Sequence, residues 1–525
     1  MIYLKTLFLC LLTFTQLYAQ QAYWVFLEDN PVNHPVTLTE KAEQRILLRG
    51  KRTPAGSQNI STIRLNQLRV AGFKIRHSSR FLNAVSLEIN NNQDLTRLHQ
   101  LPFVRSIQPV AQRASRISPI NEPSLPRGSG IDYGRSLTQN EMLHIPTIHD
   151  LGYDGEGVMI GVFDAGIVTD HLVFDHLDIR ATYDFVDHEI NPDGGGEAHG
   201  VYTLSTLAGY LPETFIGPAY GATYLLARTE DINSESRLEE DNWVAALEWA
   251  DSLGVDIISS SLNYRYFDDI AENYPFSALD GQTTIITRAA NIAAQRGILV
   301  VNSMGNEGPG VSTVWPPADS PHVLSVGAVS AYGGVIAMSG RGPTYDGRIK
   351  PDVLAMGFSV FVASGLDDYV FTNGTSVATP LISGLAALLL QAHPNLSPDS
   401  VIALFRSHGN NSDLPDNSRG YGIPNLLGVF PKFDQRVTKN CLIYPNPSSA
   451  ETIQFVLPLP VTELIHTSHV YNIRGQHLAS LDLQILSETT LQLSLPSNQV
   501  LSDQLLIITV EAEGNLYSGK LIYLK

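Results

Sequence analysis

Asn373-Gly-Thr-Ser376-Val-Ala-Thr-Pro380 runs without a break into the apolar stretch 381–390. The pattern predicts a long buried helix over 376–393 with a serine at its first residues. A helix start has N–H groups without intrahelical partners, which favour a developing negative charge. Gly374 lets backbone and substrate approach closely. Pro380 is expected in the first turn, where its missing N–H costs nothing. A serine here is either a helix cap or a nucleophile. The rest of the chain decides between these two.

Upstream of that helix, residues 158–163, 255–258, 298–301 and 323–326 are short, nearly continuous apolar runs. Such runs suit parallel strands buried on both faces. Helical patterns at 243–253 and 284–296 alternate with them. Alternation of this kind predicts an α/β fold, a parallel sheet flanked by helices.

A serine hydroxyl needs a base to take its proton and a carboxylate to orient that base. Asp164 ends the run Gly161-Val-Phe-Asp164, at the strand end where α/β sheets bind ligands. His199 lies in Glu197-Ala-His199-Gly200, before a helix-like stretch. Asn306, in Ser303-Met-Gly-Asn306-Glu-Gly308, follows the strand 298–301 and carries an amide able to donate to an oxyanion. Asp, His, Ser is one of the known chain orders of a catalytic triad. His408-Gly409 follows Ser376 and falls outside that order.

With these pieces in order, residues of about 140–430 resemble the subtilisin-like serine proteases, or subtilases. The likeness is carried by Gly374-Thr-Ser-Val-Ala-Thr-Pro380, Gly305-Asn-Glu-Gly308, Ser325-Val-Gly-Ala328, Arg341-Gly-Pro343, Lys350-Pro-Asp-Val353 and Gly420-Tyr-Gly-Ile-Pro-Asn425. The resemblance implies peptide hydrolysis through an acyl-enzyme. Ser376 would be the nucleophile, His199 the general base and then acid, Asp164 its orienter and Asn306 the oxyanion donor. Ser261, Leu262 and Asn263, with Ser303, Met304 and Gly305, would line the substrate site. The family commonly has Gly at Asn263 and a small residue at Met304, so a preference other than for large aromatics before the cut is expected. Ala165, Val201 and Glu197 depart from the usual Ser or Thr, Thr and Asp, and the lost hydroxyls weaken the expected support of the triad.

The chain has 525 residues, 43% hydrophobic and 16% charged, enough for several domains with large cores. The net charge of −18 argues against nucleic acid as a partner. Charge is unevenly spread. Residues 1–117 hold 15 Lys and Arg against 6 Asp and Glu, a net of +9, which leaves −27 to the remainder. A basic leader on an acidic body predicts mutual attraction.

Residues 1–19, with Lys5, an apolar run at 6–14 and Ala19, read as a secretory signal peptide. Residues 20–117 read as a small α/β unit and resemble a subtilase propeptide, an intramolecular inhibitor. Its strands are expected at 24–27 and 84–89, its helices at 38–52 and 94–101, and an exposed linker at 113–130. The catalytic unit with its leading linker is expected over 118–436. Residues 437–525 read as a small all-β sandwich with strands at 452–457, 490–495, 504–510 and 516–524. Tyr444-Pro-Asn-Pro447, Val470-Tyr-Asn-Ile-Arg-Gly-Gln476 and Gly519-Lys-Leu-Ile-Tyr-Leu-Lys525 resemble the C-terminal sorting domain of type IX secretion. That implies partnership with the secretion machinery and passage through a Gram-negative periplasm to the medium or cell surface.

Cys10 and Cys441 form neither a disulfide framework nor a zinc site. The acids and histidines at Asp170, His171, Asp175, His176, Asp178, Asp184, Asp187, Asp193 and Glu197 match no metal motif and read as solvated loops. No cofactor is required, and calcium is the one metal the resemblance leaves open. A monomer is expected. The runner-up reading is a secreted binding protein on a protease fold that has lost activity.

Overall fold

The computed structural model describes residues 21–28, 36–51, 56–89, 92–110, 131–194 and 198–430, and between 439 and 523 the strands with a few neighbouring residues. The expected signal peptide and the linker at 113–130 lie outside the described residues.

The first unit runs β1 (Gln21–Leu27), α1 (Glu40–Arg49), α2 (Thr62–Val70), β2 (Lys74–Ser79), β3 (Ala84–Ile89), α3 (Asn92–His99) and β4 (Val104–Val110). Its four-stranded antiparallel sheet has the order β2-β3-β1-β4. The α2, β2 and β4 elements add to the expected ones. Period-two alternation gives the sheet two apolar faces. Val25 and Leu27 pack with Leu68, Leu87 and Leu98. Ala22, Trp24 and Phe26 point the other way, into a cluster with Trp243, Leu247, Ala250 and Ala293.

The middle unit contains α4 (Leu137–Glu141), α5 (Ile145–Asp150), β5 (Met159–Asp164), β6 (Asp178–Asp184), α6 (Ala198–Ala208), the short pair β7 (Tyr210–Leu211) and β8 (Phe215–Ile216), β9 (Thr223–Arg228) and α7 (Arg237–Leu253). It continues with β10 (Ile257–Ser260), α8 (Ile285–Gln295), β11 (Leu299–Ser303), β12 (Val323–Val329), β13 (Val353–Met356), the hairpin β14 (Val360–Ser364) and β15 (Asp368–Thr372), α9 (Thr375–Ala392) and α10 (Pro398–Ser407). A seven-stranded sheet has the order β13-β12-β11-β10-β5-β9-β6, with every pairing parallel. This is the α/β fold read from the sequence, with β6, β9 and β13 added. Alternate residues feed two cores. Ile160, Val162, Leu226 and Val301 pack with Leu204 of α6 and Leu385 of α9. Phe163, Leu225, Ile258 and Val300 pack with Val244 of α7 and Ala290 of α8.

The chain passes from β5 to β6 and β9 on one side, then crosses to β10 on the other. Strand order therefore reverses beside β5, and ligands bind at the carboxyl ends of strands at such a point. Asp164 is the last residue of β5.

The last unit forms two sheets, β16 (Lys439–Asn440)-β24 (Asn515–Tyr523)-β23 (Gln504–Ala512)-β19 (Ile465–Asn472)-β20 (His477–Ser480) and β17 (Leu442–Tyr444)-β18 (Thr452–Val456)-β22 (Thr490–Ser494)-β21 (Asp482–Ser487). Both contribute to one core that includes Phe455, Leu493, Ile508 and Leu521.

Candidate active site

Asp164 is fully buried, whereas the His199 side chain is 35% exposed. The carboxylate is sealed and the imidazole faces the outside. His199 Nδ1 lies 2.7 Å from Asp164 Oδ1. That contact fixes the ring and leaves Nε2 as the working nitrogen. The Ala165 N–H also donates to Asp164 Oδ1, at 2.8 Å.

His199 is the second residue of α6. Gly200 is required by close approach, because a Cβ there would stand 1.9 Å from the Gly166 carbonyl oxygen. The two segments that carry Asp164 and His199 are thereby pressed together.

Thr203 was missed by the sequence reading. Its hydroxyl donates to Asp164 Oδ2 at 2.8 Å. Thr203 lies four residues after His199 on one helix, so both reach the same carboxylate. The spacing His199-x-x-x-Thr203 is the signal that was available. The support expected to be lost with Ala165 and Val201 is supplied from this third position.

Ser376 is the second residue of α9, after the N-cap Gly374. Gly374 has φ +151°, and a Cβ on it would meet Ser376 Oγ at 2.9 Å and Asn306 Nδ2 at 3.6 Å. The Ser376 hydroxyl and the Asn306 amide therefore flank one small space. Asn306 Oδ1 accepts from Thr375 N at 2.9 Å and from Thr375 Oγ1 at 3.1 Å. With its oxygen occupied, the amide turns its N–H groups toward that space.

Pro380 is not in the first turn of α9. It is the sixth helical residue. A residue there would donate its N–H to the Ser376 carbonyl, and proline cannot. That carbonyl instead accepts from Ser261 Oγ at 2.7 Å. The proline thus frees an acceptor that ties the Ser376 backbone to the segment following β10.

Of the expected substrate residues, Ser261, Leu262 and Asn263 follow β10 in irregular backbone, and Ser303 ends β11 ahead of Met304 and Gly305. The two segments are laced together. Asn302 Nδ2 donates to Leu262 O at 2.9 Å, and Asn263 Nδ2 donates to Ser303 O at 2.7 Å.

Beyond β9, Glu230 accepts from the Tyr264 hydroxyl. Burial and the neighbouring Glu235 push the Glu230 carboxyl well above its usual range. Burial also raises Glu239 well above the usual range and Glu235 to about 7. Burial works against the charged form in each, and none of them was singled out in the sequence. Among the described residues, no cluster of His, Cys, Asp and Glu is arranged to hold a metal ion.

The subtilase family model matches residues 155–422, a span that contains Asp164, His199, Asn306 and Ser376. Subtilisin from Bacillus pumilus is 31% identical over 253 residues, 47% of this chain and 82% of the relative. The chain belongs to the subtilase family. Another relative of this subtilase is subtilisin E of Bacillus subtilis, 30% identical over 268 residues, which cover 50% of the chain and 63% of subtilisin E. Serine protease AprX of Bacillus subtilis is 28% identical over 315 residues, 53% of this chain and 67% of the relative. The subtilase thus matches less than two thirds of the length of subtilisin E.

Proposed function

We propose that this subtilase is a secreted serine endopeptidase working through Asp164, His199 and Ser376. The observation that carries the reading is the 2.7 Å Asp164–His199 contact, with Ser376 and the Asn306 amide flanking one space at the start of α9. His199 takes the Ser376 proton as Oγ attacks the peptide carbonyl carbon. Asp164 holds the tautomer and stabilises the imidazolium. The oxyanion accepts from Asn306 Nδ2. The tetrahedral intermediate collapses as His199 gives its proton to the leaving amine, and an acyl-enzyme remains. Water, deprotonated by His199, then releases the acid and restores Ser376. Calcium has no step in this chemistry.

Residues 20–117 act as an inhibitory propeptide. Their basic side chains dock on the acidic face of α7, as the charge asymmetry anticipates. Arg45 and Arg80 pair with the buried Asp251, the Arg80–Asp251 contact being 2.6 Å, and Arg76 lies 2.8 Å from Asp241. Residues 1–19 direct export, 118–436 form the catalytic unit and 437–525 form a type IX sorting domain. Within Tyr444-Pro-Asn-Pro447, Asn446 donates to Lys520 O at 2.7 Å and accepts from Ile522 N at 2.8 Å. Two of the three tail motifs thus meet, which supports reading them as one module. Partners are polypeptide substrates, the chain's own propeptide and the secretion machinery. The enzyme acts as a monomer outside the cell or on its surface, without nucleic acid.

The test is the purified chain lacking its signal, beside Ser376→Ala. Wild type should lose its propeptide by mass and digest denatured casein. The variant should lose about a millionfold in rate, the size of loss known for the nucleophile of a subtilisin. A folded wild type as inert as the variant would sink the reading and favour a binding protein.

A further inference from the structure

Acyl transfer at Ser376 puts the residue before the scissile bond into a defined place. Its carbonyl carbon meets Ser376 Oγ and its oxygen faces Asn306 Nδ2. Two segments border that place. Ser303-Met304-Gly305 leads directly into Asn306, and Ser261-Leu262-Asn263 is held to the Ser376 backbone by the 2.7 Å Ser261 bond. A side chain before the cut has to enter between these segments.

Side chains bridge the two segments. Asn263 and Ser303 form a reciprocal pair. Asn263 Nδ2 donates to Ser303 O at 2.7 Å, and Ser303 Oγ donates to Asn263 Oδ1 at 2.6 Å. Asn263 Nδ2 also reaches to 3.5 Å from Trp315 O. The Trp315 side chain stands against Gly305, where a Cβ would be 3.3 Å from the indole Cγ. Tyr266 packs edge-on against the indole at 5.4 Å and holds it there. Met304 is buried among Leu279, Val314 and Ala318.

We infer that Asn263, Ser303 and Trp315 close the pocket for the residue preceding the scissile bond, so that this enzyme cleaves after glycine, alanine or serine. The inference rests on the serine-endopeptidase reading. Leucine, phenylalanine or tyrosine would have to break the Asn263–Ser303 pair and displace the indole. Losing two hydrogen bonds, each worth about a factor of five, predicts a discrimination of roughly 30-fold or more. Trp315 is the new element. The sequence drew notice to Asn263 and Met304, but nothing in linear order ties Trp315 to Gly305.

The experiment uses the purified full chain after it has matured. Fluorogenic peptides identical except for Gly, Ala, Ser, Leu, Phe or Tyr before the cut are compared by kcat/KM. Phenylmethylsulfonyl fluoride labelling of Ser376, read by mass, runs in parallel. The expected result is Gly, Ala and Ser above Leu, Phe and Tyr by about 30-fold or more, with the Phe/Ala ratio rising at least tenfold in Asn263→Gly and in Trp315→Gly. A wild type that labels at Ser376 and prefers Leu, Phe or Tyr overturns this inference alone. So does a pair of folded, active variants whose Phe/Ala ratio stays at the wild-type value. The wild-type profile decides even where a variant fails to fold. Absence of both labelling and cleavage overturns the endopeptidase reading and this inference with it.

Discussion

The two flanking units treat the middle unit differently. The N-terminal sheet keeps one face for its own core and gives the other, with Ala22, Trp24, Phe26 and Val110 and the adjoining turn residues Phe81 and Leu82, to the core under α7 and α8. The C-terminal sheets pack on each other, and their core cluster draws its residues from 441–523. One unit completes the hydrophobic core of its neighbour. Among the described residues, the other takes its core from its own residues. The first is therefore shaped for this one partner, and the second has the construction of a transferable module.

The polar contacts deepen that contrast. Arg45 is buried in the body, donating to Val255 O at 2.7 Å and Arg296 O at 3.1 Å besides its pair with Asp251. Five larger apolar side chains on the same face contribute about 1.5–3 kcal/mol each, roughly 10 kcal/mol together. Breaking a buried pair costs about 3–5 kcal/mol. Arg45→Ala should therefore weaken docking by about 3–5 kcal/mol without abolishing it. On the propeptide role proposed above, inhibition of the middle unit by the separate N-terminal unit would show this as a higher inhibition constant. The freed body, which lacks residue 45, should keep its activity. An unchanged inhibition constant would mean that the ion cluster is not what holds the two together.

A second measurement sharpens the comparison through pH. Asp251 and Glu240 both lie buried on α7 and shift in opposite directions. Burial pushes Asp251 up, but Arg45, Arg296 and Arg80 outweigh it and hold the carboxyl below its ordinary value. For Glu240 burial outweighs Arg237 and the Tyr274 bond and lifts the carboxyl to about 7. The lowered group stabilises the fold above its unfolded value near 3.8, and that contribution is lost as pH falls through its folded value. The raised group stabilises fully below about 4.5, and that contribution is lost as pH rises toward 7. Glu240→Gln keeps an acceptor for the Tyr274 hydroxyl. It should raise stability at pH 8 by up to about 3 kcal/mol and flatten the slope between about pH 4.5 and 7. Thermal melts across that range check it, and an unchanged slope would place the alkaline loss elsewhere.

The smallest effect belongs to the C-terminal unit. Removing residues 437–525 should leave the stability of the remainder within about 0.5 kcal/mol, because among the described residues its core includes no side chain of the middle unit. Calorimetry of the truncated chain tests this. A loss comparable to that of Arg45→Ala would erase the distinction between the two units.

Much of this was legible in linear order. The strands with continuous apolar runs, the helix after Ser376 and the three stretches holding Asp164, His199 and Asn306 announce themselves by local pattern. The charge asymmetry anticipated the attraction between leader and body, though not that it converges on Asp251. Strands β6 and β9 were harder to see, because Asp178-Ile-Arg-Ala-Thr-Tyr-Asp184 is polar enough for an edge and Thr223-Tyr-Leu-Leu-Ala-Arg228 is short. Thr203 had a legible i,i+4 spacing from His199, but Trp315 and the true position of Pro380 escaped for a different reason. Their roles are set by contacts across tens to hundreds of residues, or by where a helix starts to within one turn. Neither is written in composition or period.

The face that α7 offers to Trp24 and Phe26 has a consequence for inheritance. If the leader is discarded after folding, Asp241, Glu248 and Asp251 remain on the mature molecule as the imprint of a companion it no longer has. A substitution there is judged during birth and not during work. Variation at these positions would follow changes in the vanished segment, and would look arbitrary to anyone who compared only the adult forms.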